Sequence, residues 1–191
     1  MNHSGFFQIG NFSIDANAAL LMTLVIVAAC CDIKTRKIPN WLILIGLASS
    51  LGIDIAFGIN DFSAWCLGLF TAFGLFIPLY LFRTMGAGDV KLVAMVGAFL
   101  GPASALGAVL TILLSGGILA IAAATWSGVL FKTLNNVRFS LIHALVSVQH
   151  GDVAPIQAPP ASAGSMPYAV AIAAGTLVHL FREHGGHLPF V

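Results

Sequence analysis

The sequence predicts an all-α, polytopic integral membrane protein. About six transmembrane helices and a cytoplasmic amphipathic helix at the interface would make one membrane-embedded domain over residues 1–191. Three observations carry this reading. Of 191 residues, 59% are apolar. Only 8 basic and 7 acidic side chains are present, 8% charged, against roughly 25% in an ordinary soluble domain. Mean hydropathy is +0.98, and the apolar residues fall in stretches of membrane-spanning length. A soluble fold of this size needs a polar surface that this chain lacks. A soluble domain, a disordered chain and a disulfide scaffold are therefore excluded.

A transmembrane helix needs about 20 mostly apolar residues. The first such stretch is Ala16–Ile33, the second Trp41–Phe57 and the third Ala64–Phe82. The fourth, Asp89–Leu100, is short and stops at Gly101-Pro102. The fifth is Ala103–Phe131 and the sixth Pro167–Phe181. The fourth also has the length of a re-entrant segment, but charge favours a full span. With six spans, Lys34, Arg36, Lys37, Arg83, Lys91, Lys132 and Arg138 all fall on one side, and only Arg182 falls on the other. The positive-inside rule makes the first side cytoplasmic and puts both termini outside. Val27-Ala28-Ala29-Cys30 has the look of a lipoprotein cleavage site, but the basic cluster follows the apolar stretch, the reverse of a signal peptide. Between the last two spans, Leu134, Val137, Leu141, Leu145 and Val148 share one helical face, the pattern of an interfacial helix. Gly151–Ser165 is rich in Pro, Ala, Gly and Ser and reads as a cytoplasmic loop within the 132–165 segment.

Ionisable residues at membrane depth are functional candidates by default. Asp15, Asp54 and Asp61 are expected in water on the outer face, Asp152 in the inner loop, and Glu183 beyond the last span. Asp32 and Asp89 remain, both at span ends and both on the cytoplasmic side. Two facing carboxylates can share a proton and activate water toward a peptide carbonyl. Two plainer readings also fit: Asp89 as a helix cap with Gly86 and Gly88 as turn residues, and Asp32 as a polar helix end beside a basic anchor. The residues leave open which carboxylate is base and which acid, because the helix dipole and the basic cluster pull Asp32 in opposite directions.

Two segments carry a resemblance. Asp32-Ile33-Lys34-Thr35-Arg36-Lys37-Ile38-Pro39-Asn40 resembles the first aspartate motif of type IV prepilin peptidases. Met85-Gly86-Ala87-Gly88-Asp89-Val90-Lys91-Leu92 resembles their second, Gly-x-Gly-Asp followed by Lys-Leu. Met166-Pro167-Tyr168-Ala169-Val170-Ala171, with Gly175 following, is a weaker match to the family's Pro-Tyr/Phe helix start. The resemblance implies an integral-membrane aspartyl endopeptidase of the bacterial cytoplasmic (inner) membrane. Such an enzyme cuts the short basic leader from prepilins or pseudopilins at the cytoplasmic face. It implies Asp32 and Asp89 as the catalytic pair. Gly86 and Gly88 would let the loop approach the substrate backbone, in extended pairing with it. Lys91, Pro39 and Asn40 would be structural or orienting; Pro39 suits a helix entrance. The C-x-x-C insert of larger members is missing between the first two spans, which resembles the short branch serving Flp-type (tight-adherence) pili. Methylation and a structural zinc site are then not implied.

No cofactor or metal is expected, and a net charge of +1 calls for no nucleic-acid partner. The partners expected are the prepilin or pseudopilin and the lipid bilayer. His179, His184 and His187 have metal-like spacing in a Gly-rich tail, with Glu183 the one nearby carboxylate; this is weaker than a ligand set. Cys30, Cys31 and Cys66 read as small buried side chains. Gly68, Gly74, Gly116 and Gly117 read as close-packing positions, and Trp41, Trp65 and Trp126 as interfacial anchors. The abundant Phe residues read as lipid-facing filler. Two rival functions share the two aspartates. One is a small non-enzymatic carrier or a proton- or cation-coupled component. The other is a Gly-x-Gly-Asp protease acting inside helices; in such enzymes the first aspartate stands within a span beside a tyrosine, whereas Asp32 stands beside Cys31 and precedes a basic turn.

Overall fold

A computed structural model describes residues 6–9, 12–57, 61–81, 84–126, 128 and 167–183. The expected cytoplasmic helix and loop of residues 132–165 lie outside these. A short hairpin comes first, which the sequence reading did not assign: β1 (Phe6–Ile9) pairs antiparallel with β2 (Phe12–Asp15). Helices follow: α1 (Ala16–Thr35), α2 (Asn40–Phe57), α3 (Phe62–Leu81), α4 (Ala87–Trp126) and α5 (Tyr168–Glu183). Among them α1, α3 and α4 are long and apolar enough to cross a membrane, and α2 is a shorter apolar helix. The chain divides into a larger compact unit, Met1–Gly116 with Pro167–Val191, and a second, Gly117–Met166.

Helix α4 is broken at Gly101, whose φ of 74° and ψ of 172° are non-helical. That backbone region is essentially glycine's alone, and Pro102 follows it without an N–H to continue the ladder. Packing shows that the two arms double back. Met95 of the first arm lies against Gly46 of α2, which also meets Leu24 of α1. Lys91 bonds to Asn40 at the start of α2, so residues 89–91 stand at the end of α1 that carries Asp32. Gly116 of the second arm packs on Tyr168, whose neighbour Ala169 bonds to Asp32. Residues 89 and 116 thus reach the same end, although a straight helix would hold them about 40 Å apart. The boundary expected at Gly101-Pro102 is a real turn.

Small residues hold the arms to their neighbours. A Cβ on Gly68 of α3 would strike the Gly97 carbonyl and stand 2.9 Å from the Gly101 backbone. On Gly97 it would stand 2.5 Å from Ala72 Cβ. Along the second arm and α5, Gly107 meets His179, Ile112 meets Gly175, and Gly116 meets Tyr168, an antiparallel pairing. Among the described residues, nothing lies within 4 Å of a Cβ built on Gly74 or Gly117, so no described neighbour gives those two glycines the close-packing role expected of them. The core joins Leu21, Val25 and Ala28 of α1 to Leu92, Met95 and Val96 of α4 and Ile172 of α5.

Several expectations are corrected. Asp54 is inside α2 and buried, not in water on an outer loop. Cys30 is exposed on α1, while Cys31 and Cys66 are half-buried. The Trp65 indole N–H donates to Ser50 Oγ at 2.7 Å, so it ties α3 to α2 as well as sitting near a helix end; Trp41 and Trp126 remain exposed at theirs. Phe76 and Phe99 are buried core rather than filler, whereas Phe62 and Phe70 are exposed.

Candidate active site

The site is built where three helix ends meet. At the end of α1, the Arg36 N–H donates to the Asp32 carbonyl at 2.9 Å, and Arg36 takes a left-handed φ of 54°. That conformation is a helix stop. Thr35 Oγ1 donates to the Cys31 and Lys37 carbonyls at 2.9 and 3.1 Å, which ties the stop to the turn. Pro39 then leads into α2, and its carbonyl accepts from the Leu42 N–H at 3.1 Å. Asp32 is left in the last turns of α1, 7% exposed. Its Oδ2 accepts the Ala169 backbone N–H at 3.3 Å.

Asp89 stands in the first turn of α4 and is half-buried. Its Oδ2 accepts the Gly86 N–H at 3.2 Å. In return, the Gly86 carbonyl accepts from the N–H groups of Asp89 and Val90 at 3.2 and 3.4 Å. With Gly86 as the residue before the helix, this is the reach-back half of a capping box, and a carboxylate there is also favoured by the helix dipole. Capping and proximity to Asp32 therefore belong to the same side chain. This arrangement overturns the expected extended pairing of Gly86–Gly88 with a substrate strand. Ala87 and Gly88 are already helical, and both polar groups of Gly86 are engaged within the cap.

The other residues singled out from the sequence join the two aspartate segments. Lys91 Nζ donates to Asn40 Oδ1 at 3.2 Å across the exposed rim. A Cβ on Gly88 would stand 3.4 Å from Ile38 Cβ, so Gly88 faces the turn before Pro39. Asp32 and Asp89 are close enough for their charges to act on each other. Two carboxylates gathered at one end of a helix bundle supply the residue types for general acid–base work on a water molecule and a carbonyl.

The sequence reading missed two participants. Tyr168 lies within electrostatic reach of Asp89, and Ala169 supplies the N–H on Asp32. The available signal was the Met166-Pro167-Tyr168 helix start, read as a motif without a place in the site. At the far end of α5, Ser104 Oγ donates to Glu183 Oε1, and His179 stands 3.5 Å from the same carboxylate oxygen. Glu183 is thus tied to α4 while remaining exposed, as expected. Among the described residues, no three His, Cys, Asp or Glu side chains gather as a metal-binding group; His184 and His187 lie outside the described residues.

The family profile described as the type IV leader peptidase family matches residues 19–124, more than half of the chain and including both aspartate segments. No curated protein and no solved structure matches the chain.

Proposed function

The chain belongs to the type IV leader peptidase family, and from that premise we propose that it is a single-domain membrane aspartyl endopeptidase. It removes the basic leader from type IV, Flp-like prepilins or pseudopilins at the cytoplasmic face of the inner membrane. The observation that supports this reading is the meeting of Asp32 and Asp89 at one end of the helix bundle. Those two are the catalytic pair, and Gly86, Gly88, Lys91, Pro39 and Asn40 shape the loops that hold them. A prepilin has a charged leader followed by an apolar helix, so its scissile bond arrives at the membrane surface, the depth at which span ends lie. Water between the carboxylates gives a proton to one of them as it attacks the carbonyl carbon, and the other donates to the carbonyl oxygen. The tetrahedral intermediate collapses with breakage of the C–N bond, and the leaving amine takes a proton from the pair.

Six spans with both termini outside fit this use. Lys34, Arg36, Lys37 and Lys91 then anchor the active end at the cytoplasmic surface. Co-expression with Flp-type prepilins, scored by the gel shift of leader loss, tests the reading. Wild type cleaves. Asp32→Asn and Asp89→Asn each insert in the membrane but lower cleavage by about 100-fold or more, the scale of a lost acid–base partner. Full cleavage by both single variants overturns the assignment, and a wild-type chain that moves protons or cations without cutting any prepilin overturns the function.

A further inference from the structure

We propose that the first turn of α5 is the third part of the active site: Ala169 is a positioning residue that fixes Asp32, Tyr168 anchors the turn that carries it, and Gly116 is the seat that holds Tyr168. This rests on the peptidase reading above, yet it concerns a segment beyond the 19–124 region that matches the family. Ala169 is fully buried, and its N–H donates to one oxygen of a carboxylate that is itself 7% exposed. A first-turn N–H has no acceptor within its own helix, so this donation takes nothing from α5. Water has no access to replace it. Oδ2 of Asp32 is thereby fixed, and rotation of the carboxylate would break the bond, which leaves Oδ1 as the oxygen offered to the reacting water.

The same turn carries Tyr168, whose phenol lies within electrostatic reach of the Asp89 carboxylate. Where Tyr168 stands is decided by the second arm of α4. A Cβ on buried Gly116 would lie 2.5 Å from Tyr168 Oη and 2.9 Å from Cζ. The end of the phenol ring therefore occupies the space that a side chain at 116 would fill. Gly175 lies against the Ile112 backbone one to two turns along, and it fixes the rest of α5 to the same arm. One turn thus holds Asp32 by a hydrogen bond, and its location is set by a glycine remote from it in sequence.

The test measures kcat and KM of purified full-length enzyme on a synthetic prepilin peptide, with the melting temperature of each variant. Ala169→Pro removes the N–H at a position in the first turn where Pro is accepted. Gly116→Ala displaces Tyr168. Gly117→Ala, whose added Cβ meets no described residue within 4 Å, is the control. Ala169→Pro and Gly116→Ala are expected to lower kcat by about tenfold to a hundredfold, the scale of one hydrogen bond to a charged group, with KM within twofold and melting unchanged. Gly117→Ala is expected to match wild type. In a Tyr168→Ala background, Gly116→Ala should add no further loss of kcat. Wild-type kcat in both variants, a combined fall of kcat, KM affinity and melting temperature, or additive losses at 116 and 168 would overturn the proposal. Asp32→Asn separates the two levels. If it cuts like wild type, the peptidase reading fails; if it is inactive while Ala169→Pro and Gly116→Ala are fully active, only the positioning role fails.

Discussion

Asp89 is held by the backbone that it caps, and this makes Gly86 a sensitive position. Gly86 is not among the positive-φ glycines, so space rather than conformation explains the residue. A Cβ there would stand 3.1 Å from Asp89 Oδ2, and the oxygen would have to yield by tenths of an ångström. A misplacement of about 1 Å can cost about a hundredfold in rate, so Gly86→Ala is expected to lower leader cleavage by about tenfold. Stability should change by no more than about 0.5 kcal/mol, as at other exposed sites. An initial-rate assay beside a thermal melt checks this, and an unchanged rate would count against the capping geometry. Lys91 and Asn40 contribute on a smaller scale. Their bond is exposed, so a double-mutant cycle with Lys91→Met and Asn40→Ala should give a coupling of about 0.5–1 kcal/mol in stability. The aspartates were legible in the sequence because two carboxylates stand out against an apolar background. The Gly86–Asp89 cap was also present as a three-residue spacing. The bond from Ala169 to Asp32 crosses 137 residues, and no local pattern encodes it.

Between elements, glycine decides which helices touch. Gly68 and Gly97 let the backbones of α3 and α4 approach until there is no room for a methyl group, and the atoms in the way are backbone atoms. Neither helix can move aside cheaply. Gly68→Ala or Gly97→Ala is expected to destabilise the bundle by about 1–3 kcal/mol. Gly74→Ala, on open space in the same α3, should be neutral or stabilising by up to about 1 kcal/mol, since Ala is the better helix former. Melting in detergent compares the three, and equal loss in all would contradict the packing. The sequence showed small residues but not which of them pack. In lipid, Leu and Phe suit the outer face of a helix as well as its inner face, so apolar periodicity fades. The same blurring hid the burial of Asp54, which lies on the inward side of α2 where the sequence offered only a polar residue near a span end.

For the molecule as a whole, the helix ends were legible and the lateral arrangement was not. The stretch boundaries fall within a few residues of α1, α2, α3 and α5, and the break at Gly101 stands where Gly-Pro announced it. Which ends share a neighbourhood follows only from the doubling back of α4. That reversal also bears on the six-span topology proposed above. The first arm, 87–100, is about 21 Å long at 1.5 Å per residue, shorter than the roughly 30 Å hydrocarbon core. In the six-span topology proposed above, the Gly101 turn would therefore sit below the outer surface or draw the surface toward it. With six spans, alkaline phosphatase joined after Asp61, Ala103 or Glu183 should be active outside, and joined after Lys37 or Thr84 it should stay inactive inside. A cysteine at 103 should react with a membrane-impermeant maleimide more slowly than one at 61, because the short arm holds it deeper. If the first arm were re-entrant, the Gly101 turn would stop short of the outer face, and the fusion after Ala103 would be inactive. The fusion after Ala103 thus separates a complete short span from a re-entrant one, and in both cases Asp89 keeps its place beside Asp32.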